Sequence, residues 1–291
     1  MRTHVRLFAL LLLPAAFACS SSGGAVDDGP GSSAAAAALT GIPASASDVD
    51  ARLAASPRHG EWAMVSAGGA DSVRAWVVYP ERSDKAPVVI VVHEIFGVSN
   101  WVRGVADQLA ADGFIAIAPD FLTGMNVPNG PNGQPLADSA TAAVRRLNPA
   151  DVQRRIDAVA RYGMALPAAL PRYGIVGYCW GGTVSFNHAA HSPTLGASVV
   201  YYGSSPASDR LQTVRAPVLG LYGANDARVN ATIPAADSTM RALGKVFEHE
   251  IFEGAGHGFL RQQEGQEGAN ATAARAAWPA TIAFFRQHLG D

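Results

Sequence analysis

The sequence predicts an α/β fold, a doubly wound and mostly parallel sheet of about eight strands with helices on both faces. Two observations carry this expectation. Short apolar runs alternate with helically spaced stretches over residues 58–291. One of those runs, Val88-Val89-Ile90-Val91-Val92, is β-branched throughout. A strand covered on both faces reads this way, whereas a half-solvated strand alternates apolar with polar positions. Strands joined through helices form parallel sheets, with ligand sites beyond the carboxyl ends of the strands.

Each element has its own signal. Residues 62–66 and 73–79 read as an antiparallel pair at one edge. After the run at 88–92, residues 99–112 carry helical spacing (Val102, Val105, Leu109) and stop at Gly113. Residues 114–118 form the next strand, ended by Pro119. Asn148-Pro149 supplies a helix cap and a first-turn proline for a helix to about residue 162. Further strands fit 173–176, 197–202, 218–222 and 246–252, and helices fit 182–190, 234–243 and 271–288.

The first 57 residues read differently. Arg2, His4 and Arg6 precede an apolar run over 7–13 and small residues up to Cys19, as in a secretory signal peptide. Ala16-Phe17-Ala18-Cys19 is similar to a bacterial lipobox, which would make Cys19 the lipidated first residue; cleavage after Ala18 is the alternative. Residues 20–57 are rich in Ser, Gly, Ala and Pro and read as a disordered linker. The expected product is exported from a bacterial cell, as a periplasmic protein or a membrane-anchored lipoprotein, and as a monomer.

Composition excludes several classes. With 22 Lys+Arg against 24 Asp+Glu and no basic stripe, nothing recommends a nucleic-acid partner. Two cysteines cannot build a disulfide framework or a thiolate metal cluster.

The chemistry concentrates after three strands. Gly177-Tyr178-Cys179-Trp180-Gly181-Gly182 is a nucleophile elbow with Cys in place of Ser. Its glycines permit a sharp strand-to-helix turn, and the helix amino terminus favours a thiolate. A buried cysteine at an ordinary tight turn is the bland alternative. The next strand ends in Gly223-Ala224-Asn225-Asp226, and the last in Gly254-Ala255-Gly256-His257. Nucleophile, acid and histidine in that order are the triad of an α/β-hydrolase. Asp226 would orient His257, which exchanges protons with Cys179 and the leaving group. Singly, an Asx-turn aspartate and an idle loop histidine would explain the same residues. The backbone N–H groups of Ile95 and Trp180 occupy the two oxyanion-hole positions of that fold. His93, Asp120 and His59 are expected to be structural or solvent-facing. Asn230-Ala231-Thr232 and Asn270-Ala271-Thr272 fit glycosylation sequons, which the bacterial character of the leader argues against.

The Cys179 elbow, His93-Glu94-Ile95-Phe96-Gly97 and Gly254-Ala255-Gly256-His257-Gly258-Phe259 together resemble the dienelactone hydrolase family over about residues 60–290. The resemblance implies hydrolysis of lactones or esters through a cysteine acyl-enzyme, with carboxymethylenebutenolide as the type substrate and without metal or cofactor. It further implies that Glu94 contacts the resting thiol and assists its deprotonation when substrate arrives. A solvent-facing loop acid is the plain alternative for Glu94. Arg261, four residues after His257, matches a family arginine that binds the substrate carboxylate, although a solvated arginine fits equally well. A second such arginine has no counterpart within residues 123–135; Arg145 and Arg146 stand near without a motif. The expected partner is therefore a small ester or lactone, possibly anionic. A general carboxylesterase or thioesterase, or a non-catalytic binding protein on a hydrolase scaffold, are the rival readings.

Overall fold

A computed structural model describes residues 41–290. The expected signal peptide, Cys19 and the part of the expected linker up to residue 40 lie outside the described residues. Eight strands form one sheet in the order β1-β2-β4-β3-β5-β6-β7-β8. They are β1 (Gly60–Gly68), β2 (Asp71–Val78), β3 (Ala86–Val92), β4 (Ile115–Asp120), β5 (Ala169–Tyr178), β6 (Ala197–Tyr201), β7 (Val218–Gly223) and β8 (Phe247–Phe252). β1 and β2 form the antiparallel edge, β2 pairs antiparallel with β4, and the rest is parallel.

Every residue of β3 is buried. Val88, Ile90 and Val92 pack into one apolar layer, and Val89 and Val91 into the other, as the two-residue period of a strand requires. The first layer is completed by α4 (Pro149–Ala165), α5 (Trp180–His191) and α8 (Ile233–Ala242), and the second by α2 (Asn100–Ala111) and α9 (Ala269–Leu289). Asn148 caps α4 by accepting from the Ala150 N–H at 2.9 Å, and Ser99 caps α2. α9 continues through Pro279; its preceding residue, Trp278, is pinned where Nε1 donates to Asp112 at 2.9 Å.

Shorter helices among the described residues include α3 (Ala137–Val144), α6 (Ser208–Leu211) and α7 (Ala227–Asn230), none of which the sequence reading foresaw. The larger correction concerns the linker. From residue 41 the chain packs instead of trailing free, and it includes α1 (Val49–Ala54). Val49 is buried against α2, where a Cβ on Gly104 would meet its Cγ2 at 2.4 Å. Ile42, Ala44 and Leu53 lie on the same apolar layer. Few large apolar residues suffice here because Gly104 lets the segment approach closely, a contact that composition does not register.

Candidate active site

The three strand ends named above converge at the carboxyl edge of the sheet. Cys179 stands between β5 and α5 with φ 58° and ψ −115°, a conformation costly for any residue with a side chain. Its neighbours explain why the turn can be made. A Cβ on Gly177 would lie 1.9 Å from the Gly181 carbonyl oxygen, and one on Gly181 would lie 2.3 Å from that of Val92. Gly182 and Gly203 interlock in the same way, so β3, β5, β6 and α5 meet backbone to backbone. The Cys179 N–H donates to Tyr201 O at 3.1 Å, tying the elbow to β6.

His257 Nδ1 lies 2.5 Å from Asp226 Oδ2, with Asp226 buried and His257 half-buried. Asp226 stands at the amino end of α7 but does not cap it, so its carboxylate is left for the imidazole. The loops around the pair are cross-braced. Asn225 donates to Gly254 O at 3.0 Å, and the Ala224 N–H to Phe252 O at 2.9 Å.

Two residues that the sequence reading missed belong to this frame. Asn270 is buried; it accepts from the Gly256 N–H at 2.9 Å and donates to Gln262 O at 2.7 Å, bracketing His257. Its sequon was the available signal, and it pointed elsewhere. Tyr202, with φ 40°, is fully buried and sets its ring 5.1 Å from that of His257. Asn230, of the other sequon, is likewise engaged, donating to Gly223 O at 2.9 Å.

The loop after β3 brings Glu94 to the same place. Glu94 is buried and ion-paired with Arg261, Nε to Oε2 at 2.8 Å. Burial pushes its carboxyl up to about 7, although the guanidinium opposes the shift. Burial, and then the charge of Glu94, push the Cys179 thiol up to about 11, so the resting sulfur is protonated at neutral pH. The half-buried Trp180, whose N–H favours the sulfur anion, stacks on His93 at 5.4 Å. Ile95 lies half-buried beside Glu94.

His93 is buried, Asp120 accepts from the Leu122 N–H at 3.1 Å, and His59 stacks on Tyr79 at the surface, all in structural roles. Arg145 and Arg146 are exposed where α3 ends. Arg261 is thus the arginine that the fold sets against the acid of the site.

The model of the dienelactone hydrolase family matches residues 73–289. A Salmonella typhimurium protein bearing the name of a carboxymethylenebutenolidase is 32% identical over 235 residues, which are 76% of this chain and 84% of its own. A Bradyrhizobium protein named for 2-oxo-3-(5-oxofuran-2-ylidene)propanoate lactonase activity is 30% identical, over 79% of this chain and 94% of its own. Among solved structures, a protein from Klebsiella pneumoniae bearing the name of a dienelactone hydrolase superimposes with a TM-score of 0.68. It is 30% identical and covers 79% of this chain and 99% of its own.

Proposed function

Since the chain belongs to the dienelactone hydrolase family, whose members are hydrolases of lactone and ester bonds, we propose that it works through a Cys179–His257–Asp226 triad and a thioester acyl-enzyme. One observation carries this reading: Cys179 is held at φ 58° at the amino end of α5, beyond the strand that sits between β3 and β6. Strain of this kind persists where the surrounding backbone enforces it, and here four glycines do so.

The steps follow from the electrostatics. A thiol raised to about 11 is a poor nucleophile until a base removes its proton. Glu94 is near enough to raise that thiol, and when ionised it is the acceptor for the proton. The thiolate then attacks the acyl carbon while the N–H groups of Ile95 and Trp180 receive the developing oxyanion. The C–O bond breaks, and the leaving oxygen takes a proton from the His257 imidazolium, whose charge Asp226 stabilises. Water gives His257 back the proton it had passed to the leaving oxygen and opens the thioester; the acid departs, and the released thiolate recovers its proton from the Glu94 carboxyl, which closes the cycle.

Arg261 favours an anionic substrate, because a carboxylate competing for the guanidinium would free Glu94 to act as base. The leader over residues 1–19 supports export, with Cys19 as the site of lipid attachment.

The test is turnover of p-nitrophenyl esters and small enol-lactones by the purified protein and its Cys179→Ala variant. The variant should lose at least about 10³-fold in kcat while its unfolding free energy stays within about 1 kcal/mol. Wild-type turnover by the variant would sink the triad. Equal turnover of simple thioesters and esters, with none of lactones, would favour the general esterase reading.

A further inference from the structure

The segment 41–56 lies ahead of the region the family model matches, yet it reaches the loop that carries Arg261. The Ala46 N–H donates to Arg261 O at 2.9 Å, Ser47 Oγ donates to Glu264 at 2.7 Å, and Gln263 donates to Pro43 O at 2.9 Å. At its other end the segment is fastened to α2. Asn100 donates to Asp50 at 2.7 Å, Arg52 to Gln108 at 2.9 Å, and Ser56 to Asp107 at 2.5 Å. It is a strap between the helix that follows the Glu94 loop and the loop that follows His257.

The strap also forms one wall of a cavity. A cavity of about 310 Å³ lies between Ala46, Val49 and Asp50 on one side and Phe96, Pro135 and Arg261 on the others. Arg261 links the cavity to the candidate active site through its ion pair with Glu94, and Phe96 follows Ile95 in the chain. The guanidinium carbon lies 5.2 Å from the Phe96 ring centroid, so charge and aromatic surface stand side by side. Arg261 Nε is committed to Glu94, and the side chain keeps 24% of its surface exposed. A planar cation beside an apolar wall suits a ligand that has a carboxylate at one end and a compact apolar group next to it.

We propose that the strap makes this cavity a selecting subsite, which receives an aromatic or similarly compact substituent on the carbon bearing the substrate's carboxylate. The inference rests on the reading of Arg261 as the carboxylate-binding residue, and it names the substrate class of that site: anionic esters or lactones with an aryl-sized group beside the anion. The strap contributes Ala46 and Val49 to the walls and holds Arg261 through the Ala46–Arg261 hydrogen bond.

Filling the cavity tests this. Ala46 and Ala137 line it and are both exposed, so Ala46→Trp and Ala137→Trp can occupy it without disturbing the core. Calorimetry on the Cys179→Ala protein, which cannot turn over, should find phenylacetate bound at least about tenfold more tightly than acetate, since a buried ring adds apolar contact. Adding either tryptophan should remove most of that advantage without lowering the melting temperature, and Ala137→Trp should leave acetate binding unchanged. An advantage that survives both tryptophans, or none at the outset, overturns the subsite. An absence of ester turnover by the wild type would sink the catalytic reading, while the binding result would still decide the subsite.

Discussion

The elbow and the strap adjoin the same small site and are built by opposite means. At the elbow, four glycines let backbone meet backbone, and no side chain of any size can enter. At the strap, a few small residues are held by single hydrogen bonds to loops far away in the chain, and a cavity remains. The first arrangement fixes one atom, the sulfur, against the ends of three strands. The second leaves room for a ligand to differ. Chemistry is thus bound to the rigid sheet, and selection to segments that lie outside it.

The sharpest way to break the comparison is to put a methyl group into the elbow. Gly181→Ala places a Cβ against two carbonyl oxygens, those of Val92 and His93 at 2.3 and 2.5 Å. Denaturant titration should show a loss of more than about 4 kcal/mol or failure to fold, a size reserved for such mechanisms. A loss under 1 kcal/mol would mean that the elbow is as yielding as the strap.

Glu94 stands between the two regions and gives the next effect. Its carboxyl titrates near 4.5 in an unfolded chain, and burial pushes it up to about 7 in the fold. Between these values the native state holds the extra proton, so stability falls as pH rises through the window, by about 3 kcal/mol in all. Glu94→Gln should flatten that slope in pH-dependent unfolding. If the slope is the same in both proteins, the carboxyl is not held in a poorly solvated place. The variant should also slow acylation, because its amide cannot take the thiol proton.

The smallest effect tests the boundary itself. Arg261→Ala should lower kcat/KM for anionic esters about tenfold more than for neutral ones, the worth of one charge-assisted contact. Arg261→Lys should recover part of the loss, since an ammonium lacks the planar fork. Removal of the guanidinium also removes the charge that opposes the rise at Glu94, so the alkaline-rising limb of activity should move to higher pH. Equal losses on charged and neutral substrates would make Arg261 a brace for the His257 loop only.

The elbow was legible in the sequence and the strap was not, for physical reasons. Cys179 and Asp226 each follow a strand whose apolar run announces it, His257 follows the more polar β8, and the order of the three is informative. The antiparallel edge of β1 and β2 and the cap at Asn148 were equally open to reading, because each depends on residues close in sequence. What was missed depends on contacts across long stretches of chain. Residues 41–57 are mostly small or polar, and the few apolar ones, Ile42, Val49 and Leu53, become ordered through their fit against α2 and the bonds to the Arg261 loop. Asn270 offered only a sequon, already argued against by the bacterial leader, and is a buried strut, a role set by its closeness to Gly256 in space. The ion pair between Arg261 and Glu94 joins residues 167 positions apart (261 less 94), which no local pattern encodes.

The glycine interlock has one more consequence, for the routes by which such a protein can change. Where two backbones touch, a side chain in place of any of the four glycines is a collision, so the turn that carries residue 179 offers no gradual path to another shape. Exposed positions of the strap and of the loop at 123–136, such as Ala46 and Asn132, carry no such penalty and can be enlarged or trimmed one at a time. New substrates are reached by refurnishing a room whose door hinge cannot be moved.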